Sequence, residues 1–285
     1  MCVLGLLLIS ALGVFIGNEL FYITMESTSA YACYDEESNY ISKNIVSNKQ
    51  TKDEFENYNL LSNKANKQNR EMKNKDTVET KDNNSVGKFK GEKICYLTFD
   101  DGPTRNITPQ ILEILKEKDV KATFFVLGKL AEVNPDILKR EKNEGHLIAN
   151  HTYSHDYAYL YTNPENLIKD INKNQEMLNN ILGEELSKII RFPGGSFNKK
   201  SFQKRVNEEG YHFVDWNCLN GDAEALNVPE DKLFNNVKKS MGSQEHIIVL
   251  MHDASTKQTT VRSLSRIIDY IKAQGYSFKT LDEAF

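Results

Sequence analysis

Beyond residue 93 short apolar runs alternate with helical segments that carry their own start and stop signals, and this alternation restricts the fold more than any other feature of the chain. The runs are 94–99, 122–127, 146–150, 188–191, 211–216, 246–251 and, more weakly, 276–280. Short, nearly continuous apolar runs suit strands buried on both faces, as in a parallel sheet covered by helices. Between them, Thr108-Pro109 and Asn163-Pro164 read as N-cap and first-turn pairs, because a side-chain oxygen can accept from an orphan N–H and proline needs none there. Gly145, Gly183, Gly210 and Gly275 stand where helix C-caps belong. The pattern predicts an α/β domain with a mainly parallel sheet, open or closed toward a barrel.

The first third of the chain differs. Residues 3–17 form an uncharged apolar run of the length of a signal-peptide core, short for a membrane span unless 20–25 extends it past Glu19. It predicts export, as a cleaved peptide or an uncleaved signal anchor. Ala30-Tyr31-Ala32 has the small-x-small form of a cleavage site but lies far from the apolar run, and no basic segment precedes that run. A buried N-terminal helix is the alternative. From 34 to 92, Asn, Lys, Glu, Asp and Ser dominate, which predicts a disordered polar linker with too little apolar surface to pack. The expected divisions are therefore 1–33, 34–92 and 93–285.

A formal net charge of −4 and a pI near 5.9 speak against a nucleic-acid surface, which needs clustered, unopposed Lys and Arg. The four cysteines, Cys2, Cys33, Cys95 and Cys218, form no CxxC pair and suggest neither a zinc knuckle nor a disulfide framework. Cys95 reads as a small buried hydrophobe within a strand.

Polar clusters follow the apolar runs directly. Asp100-Asp101 follows the first, His151 to His155 the third and Arg191 to Gly195 the fourth, while Asp222 follows the fifth and His252 the sixth. Strands of a parallel sheet end on one face, so groups scattered in sequence can converge in one cleft. Two adjacent carboxylates can divide labour, one ligating a metal and one acting as a base, although Asp-Gly-Pro is also an ordinary strand-ending turn. Two imidazoles four residues apart, with a carboxylate from another strand end, make a three-ligand divalent site that leaves positions open for water and substrate. The lone histidines His146, His212 and His246 read as satisfied core or surface residues. Pro193-Gly194-Gly195 could present main-chain N–H groups to an oxyanion.

TFDDGP at 98–103, HTYSH at 151–155, RFPGG at 191–195 and LMH at 250–252 resemble four motifs of the NodB-type polysaccharide deacetylases, carbohydrate esterase family four. A fifth, looser motif is represented by Asp215-Trp216 through Asp222, and the resemblance spans nearly all of 93–285. It implies a distorted (β/α) barrel with a divalent metal, zinc first and Co, Ni, Fe or Mn as alternatives, bound by Asp101, His151 and His155. It further implies Asp100 as catalytic base, His252 as catalytic acid, Arg191 holding Asp100 and Asp222 tuning His252. Gly194, Leu250 and Trp216 are assigned to oxyanion and substrate binding. Where Gly194 stands the family frequently has tyrosine, and where Ala223 stands it often has an aromatic residue, so a wall of the substrate groove is expected to be missing.

The implied reaction is metal-dependent hydrolysis of N-acetyl groups on a GlcNAc-type polysaccharide, most directly peptidoglycan, with a chitin-like polymer as an alternative. An O-acetyl esterase acting on xylan and a catalytically silent wall-binding module are rival readings. The expected protein is an extracytoplasmic monomer that meets a membrane only through its N-terminal segment and binds no nucleic acid.

Overall fold

Residues Ile94–Gly102 form a nine-residue strand, β3, whose side chains are almost all buried on both faces, as a central strand requires. The computed structural model describes residues 91–284 together with two three-residue strands, β1 (Val14–Ile16) and β2 (Glu19–Phe21), which pair antiparallel. Apart from these, the expected export signal (1–33) and the linker (34–92, save its last two residues) lie outside the described residues. No helix among the described residues is long and apolar enough to cross a membrane.

After β3 come α1 (Thr108–Glu117), β4 (Thr123–Val126), α2 (Gly128–Val133), α3 (Pro135–Asn143), β5 (Leu147–Asn150), α4 (Tyr157–Leu160) and α5 (Pro164–Leu182). The chain continues through β6 (Ile189–Ile190), α6 (Lys200–Glu208), β7 (His212–Phe213), β8 (Cys218–Leu219) and α7 (Glu230–Met241), then β9 (His246–His252), α8 (Gln258–Ala273) and β10 (Ser277–Phe278). The sheet order is β7-β6-β5-β4-β3-β9-β8, with β10 added beside the start of β3, and every pairing in this sheet is parallel. Its two end strands do not pair with each other among the described residues, and the parallel strands form a curled half-barrel flanked by helices.

The two-residue period of a strand sorts β3 between two cores. Cys95, Leu97 and Phe99 pack outward with Phe124, Val249, Met251 and the apolar stripes of α1 and α8, while Ile94 and Tyr96 pack inward with Phe125, Ala149, Ile189 and Val214. Thr98 and Asp100 continue the inward series, as Leu250 and His252 do on β9. Apolar side chains thus fill the floor of the half-barrel, and the polar ones come at the carboxyl ends of its strands.

The local signals held unevenly. Asn163 caps α5, accepting from Asn166 N–H at 3.0 Å, and Gly183 ends that helix at φ 73°. Gly145, Gly210 and Gly275 each follow a helix end by one residue beyond the cap, also at positive φ. Thr108, however, is not a cap. Ile107 takes that position without a side-chain bond, and the Thr108 hydroxyl, the first residue in α1, donates instead to the buried Asp253 carboxylate at 2.6 Å. The Thr108 oxygen accepts from Thr104 N–H at 2.8 Å, so both its donor and its acceptor are engaged outside the helix end.

Of the run expected as a strand at 211–216, only His212–Phe213 (β7) is strand, and the next strand, β8, begins beyond it at Cys218. β7 pairs with β6 at one edge of the sheet and β8 with β9 at the other, so the chain must cross the half-barrel between them, and Asp215 and Trp216 lie on that crossing. One continuous strand could not reach both edges. Cys95 and Cys218 are buried free thiols, and burial pushes the Cys218 thiol up to about 11, well outside the reactive range. His146 is a neutral core residue: burial holds it at about 4 and its Nδ1 accepts from Ala122 N–H.

Gly102 closes β3 against Asp253, whose carboxylate a Cβ at 102 would overlap. Asp253 is fully buried and tethered by Thr108, so it cannot swing aside. Gly102→Ala should therefore lower stability by about 1–3 kcal/mol, the usual range for overpacking, read as a lower midpoint in thermal unfolding.

Candidate active site

In a regular strand Asp100 and Asp101 would point to opposite faces. Here β3 and β4 slip by one residue, Asp100 pairing with Phe125 and Gly102 with Val126, and the extra residue is Asp101 at φ 77°. A bulge of this kind re-aims a side chain. Both carboxylates consequently face one imidazole: His151 Nε2 lies 3.8 Å from Asp100 Oδ2 and 3.5 Å from Asp101 Oδ1. A left-handed aspartate costs on the order of 1–3 kcal/mol, a strain typical of functional sites.

The two histidines come from the loop after β5. Thr152 and His155 are also left-handed, at φ 72° and 55°, and the loop is pinned from below. Asp170 on α5 accepts from the N–H groups of Tyr153 and Ser154 at 2.6 and 2.9 Å, and Asn150 accepts from Thr152 N–H while itself held by Asn174. His155 Nε2 is thereby brought to 3.3 Å from Asp101 Oδ1. His151 Nδ1–H donates to the Arg191 carbonyl at 2.9 Å, which leaves its Nε2 lone pair for a ligand.

These three residues fit a divalent cation. Asp101 Oδ1 is buried without a hydrogen-bond partner, and one donor atom from each of Asp101, His151 and His155 lies within 4.8 Å of the others. Donors about 3.4 Å apart are what a tetrahedral site with ordinary ligand bonds needs. The protonation states agree. Burial would raise the Asp101 carboxyl, but His155, His252, His151 and Lys257 outweigh it and hold it at about 2. Burial lowers His155 to about 4 against the pull of Asp101. A carboxylate and a neutral imidazole are the ligating forms.

Arg191 follows β6 and is fully buried inside the half-barrel, its guanidinium 4.1 Å over the Phe125 ring. Its Nη1 donates to Asp100 Oδ1 at 2.8 Å and to Thr98 Oγ1 at 2.7 Å, and its Nε to the Val214 carbonyl. Asp100 is therefore oriented by one oxygen while the other faces His151.

His252 ends β9. Its Nδ1 meets Asp222 Oδ1 at 2.7 Å, so Nε2 is the nitrogen left for the cleft. Asp222 Oδ2 also accepts from the His252 N–H and the Thr260 hydroxyl. Burial alone would lower the His252 imidazole, but the Asp222 charge and hydrogen bond, helped by Asp101 and Asp100, raise it to about 9.

Gly194 sits in a turn at φ 69°, Leu250 is buried on the inward face of β9, and Trp216 lies 5.8 Å from the Arg191 guanidinium and edge-on to Phe197. Tyr157 stands beside Gly194. The Tyr157 ring stands edge-on to His155 at 5.2 Å, and its hydroxyl would lie only 3.0 Å from a Cβ at Gly194. Sequence reasoning passed over Thr98, Tyr157, Asp170, Asn174 and Thr260. A signal existed for two of them: the buried face of α5 reads Leu167, Ile168, Ile171 and Leu178 but is broken by buried Asp170 and Asn174, and polar groups on a core stripe call for partners.

Asp170→Ala should release the histidine loop and weaken metal binding by roughly 10- to 100-fold, the usual effect of losing an outer partner of metal ligands, with the fold retained. Isothermal titration of Zn²⁺ into wild type and variant measures it.

The polysaccharide deacetylase family profile matches residues 87–214. A peptidoglycan-N-acetylglucosamine deacetylase of Bacillus cereus is 37% identical over 193 residues, covering 67% of this chain and 88% of its own. Among solved structures, a Streptococcus mutans CE4 esterase superposes with a TM-score of 0.62 at 33% identity, over 67% of this chain and 86% of that one. The Xyl-CE4 domain of a multidomain xylanase from the hindgut metagenome of Trinervitermes trinervoides gives 0.60 at 29% identity, over 68% and 90%. With its motifs gathered at the strand ends of the same half-barrel, this chain belongs to the polysaccharide deacetylases of carbohydrate esterase family four, hydrolases that cleave the carbon–nitrogen bond of an amide.

Proposed function

We propose that this protein removes N-acetyl groups from the GlcNAc residues of cell-wall peptidoglycan, outside the cytoplasm. The observation that carries the reading is the buried, unpartnered Asp101 oxygen facing two imidazole nitrogens, beside a second carboxylate held by a buried arginine. The name of the B. cereus relative supports the substrate, and the apolar run at 3–17 with the polar stretch at 34–92 supports an exported domain on a tether.

Asp101, His151 and His155 would hold the metal, and two imidazoles with one carboxylate favour zinc. A divalent ion bound there supplies Lewis-acid polarisation and eases deprotonation of water. Asp100, oriented by Arg191, takes the proton from the attacking water. The Gly194 N–H stabilises the oxyanion that develops on the acetyl carbonyl, while Leu250 and Trp216 shape the acetyl and sugar contacts. His252 then gives its proton to the departing sugar nitrogen, releasing acetate and a free amine.

The xylan-associated neighbour keeps ester hydrolysis as a second reading, and the same groups could serve it. The raised His252 favours the amide. An imidazole that stays protonated through neutral pH suits a leaving amine, which departs poorly without a proton, whereas an alkoxide needs one less. A silent binding module would have no use for an acid and a base assembled around a three-residue ligand set.

Asp101→Asn should weaken metal affinity, whereas Asp100→Asn should keep the metal and lose about a hundredfold to ten-thousandfold in rate. Paired metal titration and acetate release from a chitin oligomer test this, and the opposite result would swap the two roles. The pH profile carries a second test. His252 acts while protonated, so activity should fall as pH rises through about 9. Asp222→Asn removes the charge that raises it, and the alkaline limb should move to lower pH.

A further inference from the structure

Gly194 and Gly195 are consecutive left-handed glycines, at φ 69° and 80°. Glycine is the least conformationally restricted residue, and neither position has a side chain to anchor it. A main-chain N–H that must point at a developing charge cannot be left to such a segment. Its orientation has to come from outside the turn, and the contacts that supply it are visible. Gly195 N–H donates to the Phe192 carbonyl at 2.8 Å, Lys199 Nζ donates to the Gly195 carbonyl at 2.6 Å, and Asp215 accepts from the N–H and hydroxyl of Ser196 at 2.9 and 2.6 Å. These hold the far side of the turn.

The near side is held by the Tyr161 side chain. The Tyr161 hydroxyl donates to the Pro193 carbonyl at 2.6 Å. The Pro193–Gly194 peptide is trans, and a peptide is planar, so this carbonyl and the Gly194 N–H are opposite ends of one rigid unit. A donor on the oxygen fixes the plane and also draws electron density toward the carbonyl, which makes the N–H a better donor, as in any polarised hydrogen-bond chain.

We infer that Tyr161 is a positioning residue for the oxyanion peptide: its hydroxyl aims and polarises the Pro193–Gly194 amide and thereby sets how strongly Gly194 N–H stabilises the transition state. The inference rests on the reading of Gly194 as the oxyanion donor. Tyr161 is equipped for the task. It follows the short helix α4, so it is six residues from His155 and connects the histidine loop to the oxyanion turn. Its ring is wedged edge-on between Tyr157 and Phe202, with Lys199 Nζ 4.7 Å over its face, so the hydroxyl has little freedom to leave. Burial, with the nearby Asp215 charge, raises its pKa, and the hydroxyl remains a donor across the working range of the enzyme.

Tyr161→Phe in the full-length protein removes the hydroxyl and keeps the ring contacts. Acetate release from peptidoglycan, a chitin oligomer and acetylated xylan, Zn²⁺ titration and thermal unfolding should be measured for wild type and variant. Losing an oxyanion donor outright costs about a hundredfold or more, and misaligning one costs less, so kcat should fall roughly tenfold. The fall should be equal for amide and ester because both pass through the same oxyanion. KM and zinc affinity should stay as in wild type, and the unfolding midpoint should fall by no more than about 5 °C, the loss of one hydrogen bond, a pattern that loss of packing would not give. If wild type released acetate and the variant stayed within twofold of it, or lost only KM or zinc affinity, the inference alone would be overturned. A zinc-loaded wild type that released no acetate from any of the three polymers would overturn the reading of the site, and the inference with it.

Discussion

A guanidinium with no exposure to solvent must be fully paired, because an uncompensated buried charge costs several kcal/mol. Arg191 meets that demand with Asp100, Thr98 and the carbonyl of Val214, which together span β3 and the segment after β7. Its own carbonyl accepts from His151 Nδ1. One residue therefore orients the proposed base with its side chain and a proposed metal ligand with its backbone. Neither can move without unpairing the arginine. The rest of the half-barrel supports this arrangement: Thr98 passes the chain of bonds on to the Val249 carbonyl of β9, and Phe125 offers its ring face to the charge from the floor below.

Around that centre, similar side chains are set to opposite tasks by what surrounds them. His155 and His252 are both largely enclosed, and burial disfavours the cation in each. His155 gains too little from Asp101 to offset it and stays neutral near neutrality, suited to ligation. His252 faces Asp222, which is itself fixed by Thr260 and by the His252 N–H, and it stays charged, suited to giving up a proton. The division of labour between the two imidazoles is a matter of carboxylate geometry, not of residue type.

Backbone strain is concentrated in the same place. Asp101, Thr152 and His155 adopt left-handed conformations that such residues usually avoid, and each is over-determined by its neighbours. The bulge at Asp101 is flanked by long, regular pairing between β3 and β9, and the histidine loop hangs from Asp170, Asn150 and Asn174. The rigid sheet and α5 hold shapes that the loops alone would not keep.

Much of this was legible in the sequence because its causes are local. The alternation of apolar runs with capped helices specifies parallel strands under helices, Asn163 and Gly183 bracket α5 through contacts within a few residues, and clusters placed after strands converge at the carboxyl ends of a parallel sheet. What the sequence could not carry depends on partners far along the chain. Thr108 turns to Asp253, 145 residues away, and the run at 211–216 is strand only over His212–Phe213 because the chain then leaves for the opposite edge of the sheet, where β8 pairs with β9. Arg191 finds Thr98 across 93 residues, and Asp222 finds His252 across 30. Residue types and their order determined which chemistry this chain could hold. Tertiary structure decided which nitrogen keeps its proton, which carboxylate turns toward the cleft and which peptide is held still, because each of those depends on the field and contacts of groups that only folding brings together.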